Sequence, residues 1–139
     1  KIVMANYKIV DVQGIGPVYA EKLIAAGIPD TDTLLAKCTT PKGRKAVAEQ
    51  TGISDKLVLT WTNHVDLFRI KGVGPQFAEL LEAAGVDTVK ELSHRVPENL
   101  TAKMEEVNEA KHLTRRVPAL KEVVKFVEQA KALPAGIEY

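Results

Sequence analysis

The chain has 139 residues with 19 basic and 18 acidic side chains, a net charge of +1 that counts against a general polyanion binder. Its 45% apolar content excludes a disordered chain, and no apolar run reaches the ~20 residues of a membrane span. The single cysteine, Cys38, excludes a disulfide framework and a cysteine-based zinc site. It indicates a reducing compartment, so we expect a cytoplasmic protein without membrane contact.

An internal repeat organises the chain. The stretch from Gly14 to Ile28 recurs from Gly72 to Val86, and most of its positions are identical. The repeat predicts a first unit at residues 8–70, a second unit at 71–133 and a loose C-terminal tail at 134–139. Met4 is a candidate start residue.

The first unit is predicted to form helices joined by tight turns. Pro17 suits the first position of a helix, and Gly27 suits the left-handed residue that ends it. A second short helix begins at Thr31, and a third runs from Pro41 to Thr51. Ser54 caps a fourth helix, whose inward residues are Leu57, Trp61, Val65 and Phe68.

The second unit repeats this order. Its first helix starts at Pro75 and ends at Gly85, and a short helix follows at Thr88. A third helix runs from Pro97 to Val107, and the last begins near Pro118 and buries Leu120, Val123, Val124, Val127 and Ala130. The helix after Ser54 leads into this unit without a linker. We therefore expect an all-α protein of about eight helices, packed as one rigid body.

Each unit contains one glycine turn, Gly14-Ile15-Gly16 (the first glycine turn) or Gly72-Val73-Gly74 (the second glycine turn). Glycine permits positive φ and lets a ligand approach the backbone. The central apolar residue is expected to insert into the core. The following helix directs free N–H groups outward from its positive end, which suits an anion such as a phosphodiester.

These residues resemble the helix-hairpin-helix motif. The run Gly14-Ile15-Gly16-Pro17, with Ala20-Glu21-Lys22-Leu23 and Ala26-Gly27-Ile28, is similar to the small N-terminal domain of archaeal- and eukaryal-type RecA-family recombinases. It is also similar to a bacterial tandem-hairpin family of unknown function. Thr51-Gly52-Ile53-Ser54 resembles the weaker second hairpin, and Val107-Asn108-Glu109-Ala110 is its counterpart without glycine. The resemblance covers residues 9–131 and implies two tandem, SAM-like helix-hairpin-helix subdomains that bind DNA backbone without base reading.

Carried over by position, the phosphate-facing residues are Gly14, Ile15, Gly16, Gly72, Val73 and Gly74. The second glycine turn is the preferred site because Arg69 and Lys71 lead into it, whereas Asp11 precedes the first. Neither turn is followed by the lysines or arginines of strong binders. Further candidate bases are Arg115 and Arg116, in a stretch with Lys111, Lys121, Lys125 and Lys131 that fits a binding strip or a solubilising surface equally well.

Two functions remain open at this point. Weak, salt-sensitive DNA binding at ~3–5 phosphates is one, and a protein-interaction adaptor that keeps the fold without DNA contact is the other. The three histidines lack partners at ligand spacing, so no metal or cofactor is expected. Asp87 echoes the catalytic aspartate of helix-hairpin-helix DNA glycosylases, but Asp30 repeats it, which favours two helix caps. We expect no catalytic residue and no enzyme activity.

Overall fold

A computed structural model describes residues 5–139, so Met4 lies outside the described residues. Eight helices account for the regular structure of this part of the chain: α1 Pro17–Ala25, α2 Thr31–Cys38, α3 Pro41–Thr51, α4 Asp55–Asp66, α5 Pro75–Ala83, α6 Val89–Ser93, α7 Pro97–Lys111 and α8 Leu120–Ala132. Two 3₁₀ turns, Ile9–Asp11 and Leu67–Arg69, precede the glycine turns. The predicted all-α fold is confirmed. Among the described residues, no helix is both long and apolar enough to cross a membrane.

Local sequence signals set the ends of α1 and α5. Each helix begins with a proline at its first position. Each ends at a glycine with positive φ, +84° at Gly27 and +96° at Gly85. The N–H of Ile28 donates to the carbonyl of Leu23 at 2.9 Å, and Val86 repeats this bond at 2.8 Å. These bonds satisfy carbonyls that a helix end leaves free, and both predicted ends are confirmed.

Polar side chains cap the helices that follow. Asp30 accepts from the N–H of Thr33 at 2.9 Å, and Ser54 accepts from that of Leu57 at 3.2 Å. Thr88, not Asp87, caps α6, so the predicted cap at Asp87 is wrong. Asp30 and Thr88, the caps of α2 and α6, each lie three residues after the glycine that ends the preceding helix. The two units therefore align at a constant spacing from the glycine turns to these caps, and Pro29 is not an insertion.

One apolar core runs through both units. In the first unit α2 packs on α3 and α4; in the second, α6 and α7 pack on α8. Trp61 and Phe68 are buried, as predicted. α4 continues through the 3₁₀ turn Leu67–Arg69 to the second glycine turn and packs on α5. A hydrogen bond of 2.7 Å between Nδ1 of His64 and Oε2 of Glu82 also joins these two helices, and it lowers the pKa of Glu82.

The end of α7 differs from the prediction. Helix α7 continues past Val107 to Lys111, so residues 107–110 form helix and not a degenerate turn. The chain turns instead at His112, whose φ of +52° is left-handed. The side chain of Asn108 then bonds the N–H of Thr114 at 2.9 Å and its carbonyl at 3.0 Å. Without a glycine to stop it, the helix runs on until this side chain fixes the turn.

Helix α8 is rotated relative to the prediction. Glu122 accepts a hydrogen bond from the N–H of Ala119 at 3.0 Å, which fixes the start of the helix at Leu120. Leu120, predicted to be buried, is 43% exposed. Val124 is half-buried, and the buried face consists of Val123, Phe126, Val127 and Ala130.

Residues Pro134–Tyr139 form a C-terminal strap, and the prediction of a loose tail is wrong. Ile137 is only 7% exposed. The N–H of Glu138 donates to the carbonyl of Thr39 at 2.8 Å, and the buried Arg44 donates to the carbonyl of Glu138 at 2.8 Å. Tyr139 Oη lies 2.7 Å from Oδ1 of Asn63. The strap therefore ties α8 to the first unit.

Ile137→Ala should lower the free energy of unfolding by about 2–4 kcal/mol, because it removes buried apolar atoms and leaves a cavity. Ile24→Ala is the matched control, since Ile24 is 54% exposed, and it should change stability by less than about 0.5 kcal/mol. Urea unfolding followed by circular dichroism measures both. Equal effects would contradict a docked strap.

Candidate functional site

The first glycine turn is open on its outer side. Ile15 is buried, as predicted, and its N–H donates to the carbonyl of Val12 at 3.0 Å. Gly14 has a φ of +88°, and a Cβ there would lie 3.5 Å from Nε1 of Trp61. Gly16 is exposed, and no described atom beyond its chain neighbours comes within 4 Å of its Cβ position. Trp61 and the apolar core thus pack against the inner side of the turn and leave Gly16 accessible to solvent.

The second glycine turn is supported in the same way but is partly covered at Gly74. Val73 is buried, as predicted, and Phe126 of α8 takes the place of Trp61, 3.0 Å from the Cβ position of Gly72. The hydroxyl of Tyr7 lies 2.9 Å from the Cβ position of Gly74. This turn therefore seats neighbouring side chains, and its predicted role as the phosphate-facing turn is not supported.

The two basic residues that enter the second turn have different surroundings. Arg69 is 8% exposed; its Nε lies 2.8 Å from Oδ1 of Asp66, and its Nη1 donates to the carbonyl of Pro134 at 2.9 Å. Burial of the guanidinium and its bonds to Asp66 and Pro134 count against its predicted role as a phosphate ligand, although Nη2 has no hydrogen-bond partner among the described residues. Lys71 has an exposed side chain, but its N–H and carbonyl both bond the side-chain amide of Gln129, at 2.8 and 3.1 Å.

Arg115 and Arg116 also have different surroundings. Arg116 forms two hydrogen bonds with Glu122, at 2.8 and 3.1 Å, and its guanidinium carbon lies 5.2 Å from the ring centroid of Phe77. Arg116 and the Ala119 N–H lower the pKa of Glu122 to about 2. Arg116 thus anchors the loop before α8, and its pairing with Glu122 counts against its predicted role in binding phosphate. Arg115 is exposed and has no ion pair within residues 5–139.

A groove of about 670 Å³ lies between the two glycine turns and takes its walls from both units. We call it the inter-turn groove; it is lined by Tyr7, Asp11, Gln13, Gly74, Pro75, Gln76, Phe77, Glu79 and Leu113. Its volume is in the range of ligand pockets. Two aromatic rings and two carboxylates set its chemistry.

The carboxylates of the groove, Asp11 and Glu79, form no ion pair with any described residue. Such a surface attracts a cationic group and repels a phosphate. The sequence analysis noted Asp11 as unfavourable for DNA but did not bring Tyr7 and Phe77 into the same site. These two residues come together only in the folded chain, because Tyr7 precedes the first unit and Phe77 lies on α5. No local sequence pattern indicates that they line one groove.

Comparison with known families adds one identification. Residues 13–133 match the family described as a domain of unknown function (DUF4332). The chain belongs to this family. The match includes both glycine turns and all eight helices. No curated protein and no solved structure matches the sequence.

Gly72→Ser and Gly16→Ser test the difference between the two turns. Gly72 has a φ of +98° and faces Phe126 at 3.0 Å, so serine there should cost roughly 1–2 kcal/mol from left-handed backbone strain alone. Gly16 has a φ of −82° and open space, and serine is a good N-cap, so the change should be near zero. Thermal unfolding measures both, and equal losses would mean that the first turn is also packed.

Glu122→Gln should destabilise the protein at pH 7 but not at pH 2. The pKa of Glu122 in the folded state, about 2, is below the ordinary 4.5. The stabilisation is therefore present above about pH 4.5 and is lost as the pH falls toward 2. Glu128→Gln, on an exposed residue of the same helix, is the control. Melting temperatures across this range check the prediction, which fails if the deficit of Glu122→Gln does not change with pH.

Proposed function

We propose that the chain is a non-enzymatic protein-interaction module of tandem helix-hairpin-helix architecture, and that its partner binds the inter-turn groove. The observation that carries this proposal is the pair of unpaired carboxylates, Asp11 and Glu79, in the groove between the glycine turns. A surface for DNA backbone would need the opposite charge.

The architecture is supported by features that recur in both units. In each, a proline starts the helix after the glycine turn, and the central turn residue is buried. An aromatic residue of the unit's last helix then lies against the first glycine, Trp61 at Gly14 and Phe126 at Gly72. These shared contacts favour descent of both units from one hairpin.

Electrostatic magnitudes favour a protein partner over nucleic acid. A carboxylate about 6 Å from a phosphate is repelled by roughly 1–3 kcal/mol at an effective dielectric constant between 80 and 20. A hydrogen bond to a charged group contributes about 1.5–3 kcal/mol. One carboxylate therefore offsets about one backbone contact to phosphate. Arg69 and Arg116, the bases expected to restore the balance, are held by Asp66 and Glu122.

A second candidate function is weak binding of nucleic-acid backbone at the first glycine turn. The accessibility of Gly16 favours it, because no described atom beyond its chain neighbours lies within 4 Å of its Cβ position. Amides at such turns can contact phosphate without reading bases. Asp11, three residues before Gly14, acts against this contact.

Affinity capture with matched variants tests the groove. The chain serves as bait in an extract of the organism that encodes it, beside Asp11→Lys/Glu79→Lys and the control Glu49→Lys/Glu105→Lys. The control makes the same charge change at exposed residues outside the lining of the groove. We expect at least one protein to bind the wild type and the control but to be lost, about tenfold or more, from the groove variant. Identical capture by all three would contradict the proposal.

Titration of labelled duplex DNA at low salt tests the second candidate. Under the proposal, fluorescence anisotropy stays flat at about 20 mM salt, where backbone binding is strongest. Saturable binding that Gly16→Asp abolishes, and that Gly74→Asp leaves unchanged, would instead establish the first glycine turn as a nucleic-acid site.

A further inference from the structure

Helix α8 carries a surface that its neighbours leave uncovered. Leu120 is 43% exposed and Val124 is half-buried, and these apolar residues are one helical turn apart on the outer side. Lys121 and Lys125 lie beside them, both exposed and without an ion pair in the described part of the chain. We call these four residues the α8 outer face; Glu128 is the one acid at its border.

The charge of this face is complementary to that of the inter-turn groove. The groove offers Asp11 and Glu79 to cations, and Tyr7, Phe77 and Leu113 to apolar side chains. The outer face offers two ammonium groups and two aliphatic side chains, in two neighbouring rows along α8. The Phe77 ring already packs against the guanidinium of Arg116, at 5.2 Å from its centroid, so the groups that can receive a cation from a partner are the carboxylates of Asp11 and Glu79.

We propose that the α8 outer face of one copy of this chain docks in the inter-turn groove of another copy. The inference rests on the proposed function, in which the groove is the interaction surface, and it names a second copy as the occupant. The two surfaces are different patches of one molecule, so the contact is heterologous and joins copies into a ring or an open chain unless two copies close reciprocally. Both patches are small, which makes the association weak and sensitive to salt.

Charge reversal on each surface separately tests this contact. The face variant is Lys121→Glu/Lys125→Glu, and the groove variant is Asp11→Lys/Glu79→Lys. The control is Lys42→Glu/Lys45→Glu, which makes the same change at exposed residues of α3. Sedimentation velocity at about 0.5 mM protein and 20 mM salt should show association of the wild type and the control. Each single-surface variant should sediment as a monomer.

Mixing makes the test specific. The face variant keeps its groove and the groove variant keeps its face, so an equimolar mixture should associate although each variant alone is monomeric. The fourfold variant, with both surfaces reversed, should regain self-association. A variant that had merely misfolded would recover in neither experiment.

Several results would overturn the inference. These are a monomeric wild type under the stated conditions, association that survives in both variants, and failure of the mixture and the fourfold variant to associate. Such results leave the proposed function intact if the groove variant still loses a captured partner. If the groove variant captures the same proteins as the wild type, it is the proposed function that fails.

Discussion

A buried ion pair between Asp66 and Arg69 holds the two units in a fixed relation. Arg69 Nε lies 2.8 Å from one carboxylate oxygen, and the other oxygen accepts from the N–H of Val89 at the start of α6. Arg69 also donates to the carbonyl of Pro134, at the start of the strap. One pair thus joins the end of α4, the 3₁₀ turn, α6 and the strap. Breaking such a pair typically costs 3–5 kcal/mol because one buried charge is left without a partner.

The inter-turn groove depends on this junction. Its walls come from residues on both sides of it, Asp11 and Gln13 before α1 and the residues of α5 after the second glycine turn. A site built across two units keeps its shape only if the units do not move relative to each other. The duplication therefore places a groove at the seam between two turns of common sequence. The turns differ in accessibility because Tyr7 and Gln129 contact the second turn, whereas no side chain within residues 5–139 covers Gly16 in this way.

The sequence predicts those features of the fold that depend on neighbouring residues. Proline at the start of a helix, glycine after its end and serine at a cap act over a few positions, and Pro17, Gly27 and Ser54 all behave as predicted. The docked strap was missed because its partners, Thr39 and Arg44, are distant along the chain. The ion pair of Arg69 could have been predicted from the sequence, since Asp66 lies one helical turn earlier. Its burial could not, and burial decides whether such a pair is open to other ligands. The groove joins Tyr7 to Phe77, and no local pattern indicates that contact.

The N-terminal segment contacts the second unit, and the C-terminal strap contacts the first. Tyr7, which precedes the first unit, lies over Gly74 of the second, while Tyr139, which follows the second unit, bonds Asn63 of the first. Each half of the repeat therefore completes the surface of the other. A polypeptide divided between Arg69 and Gly72 would leave both pieces with apolar seams open to water and a severed helix connection. The two copies share one apolar core, and we expect them to unfold together.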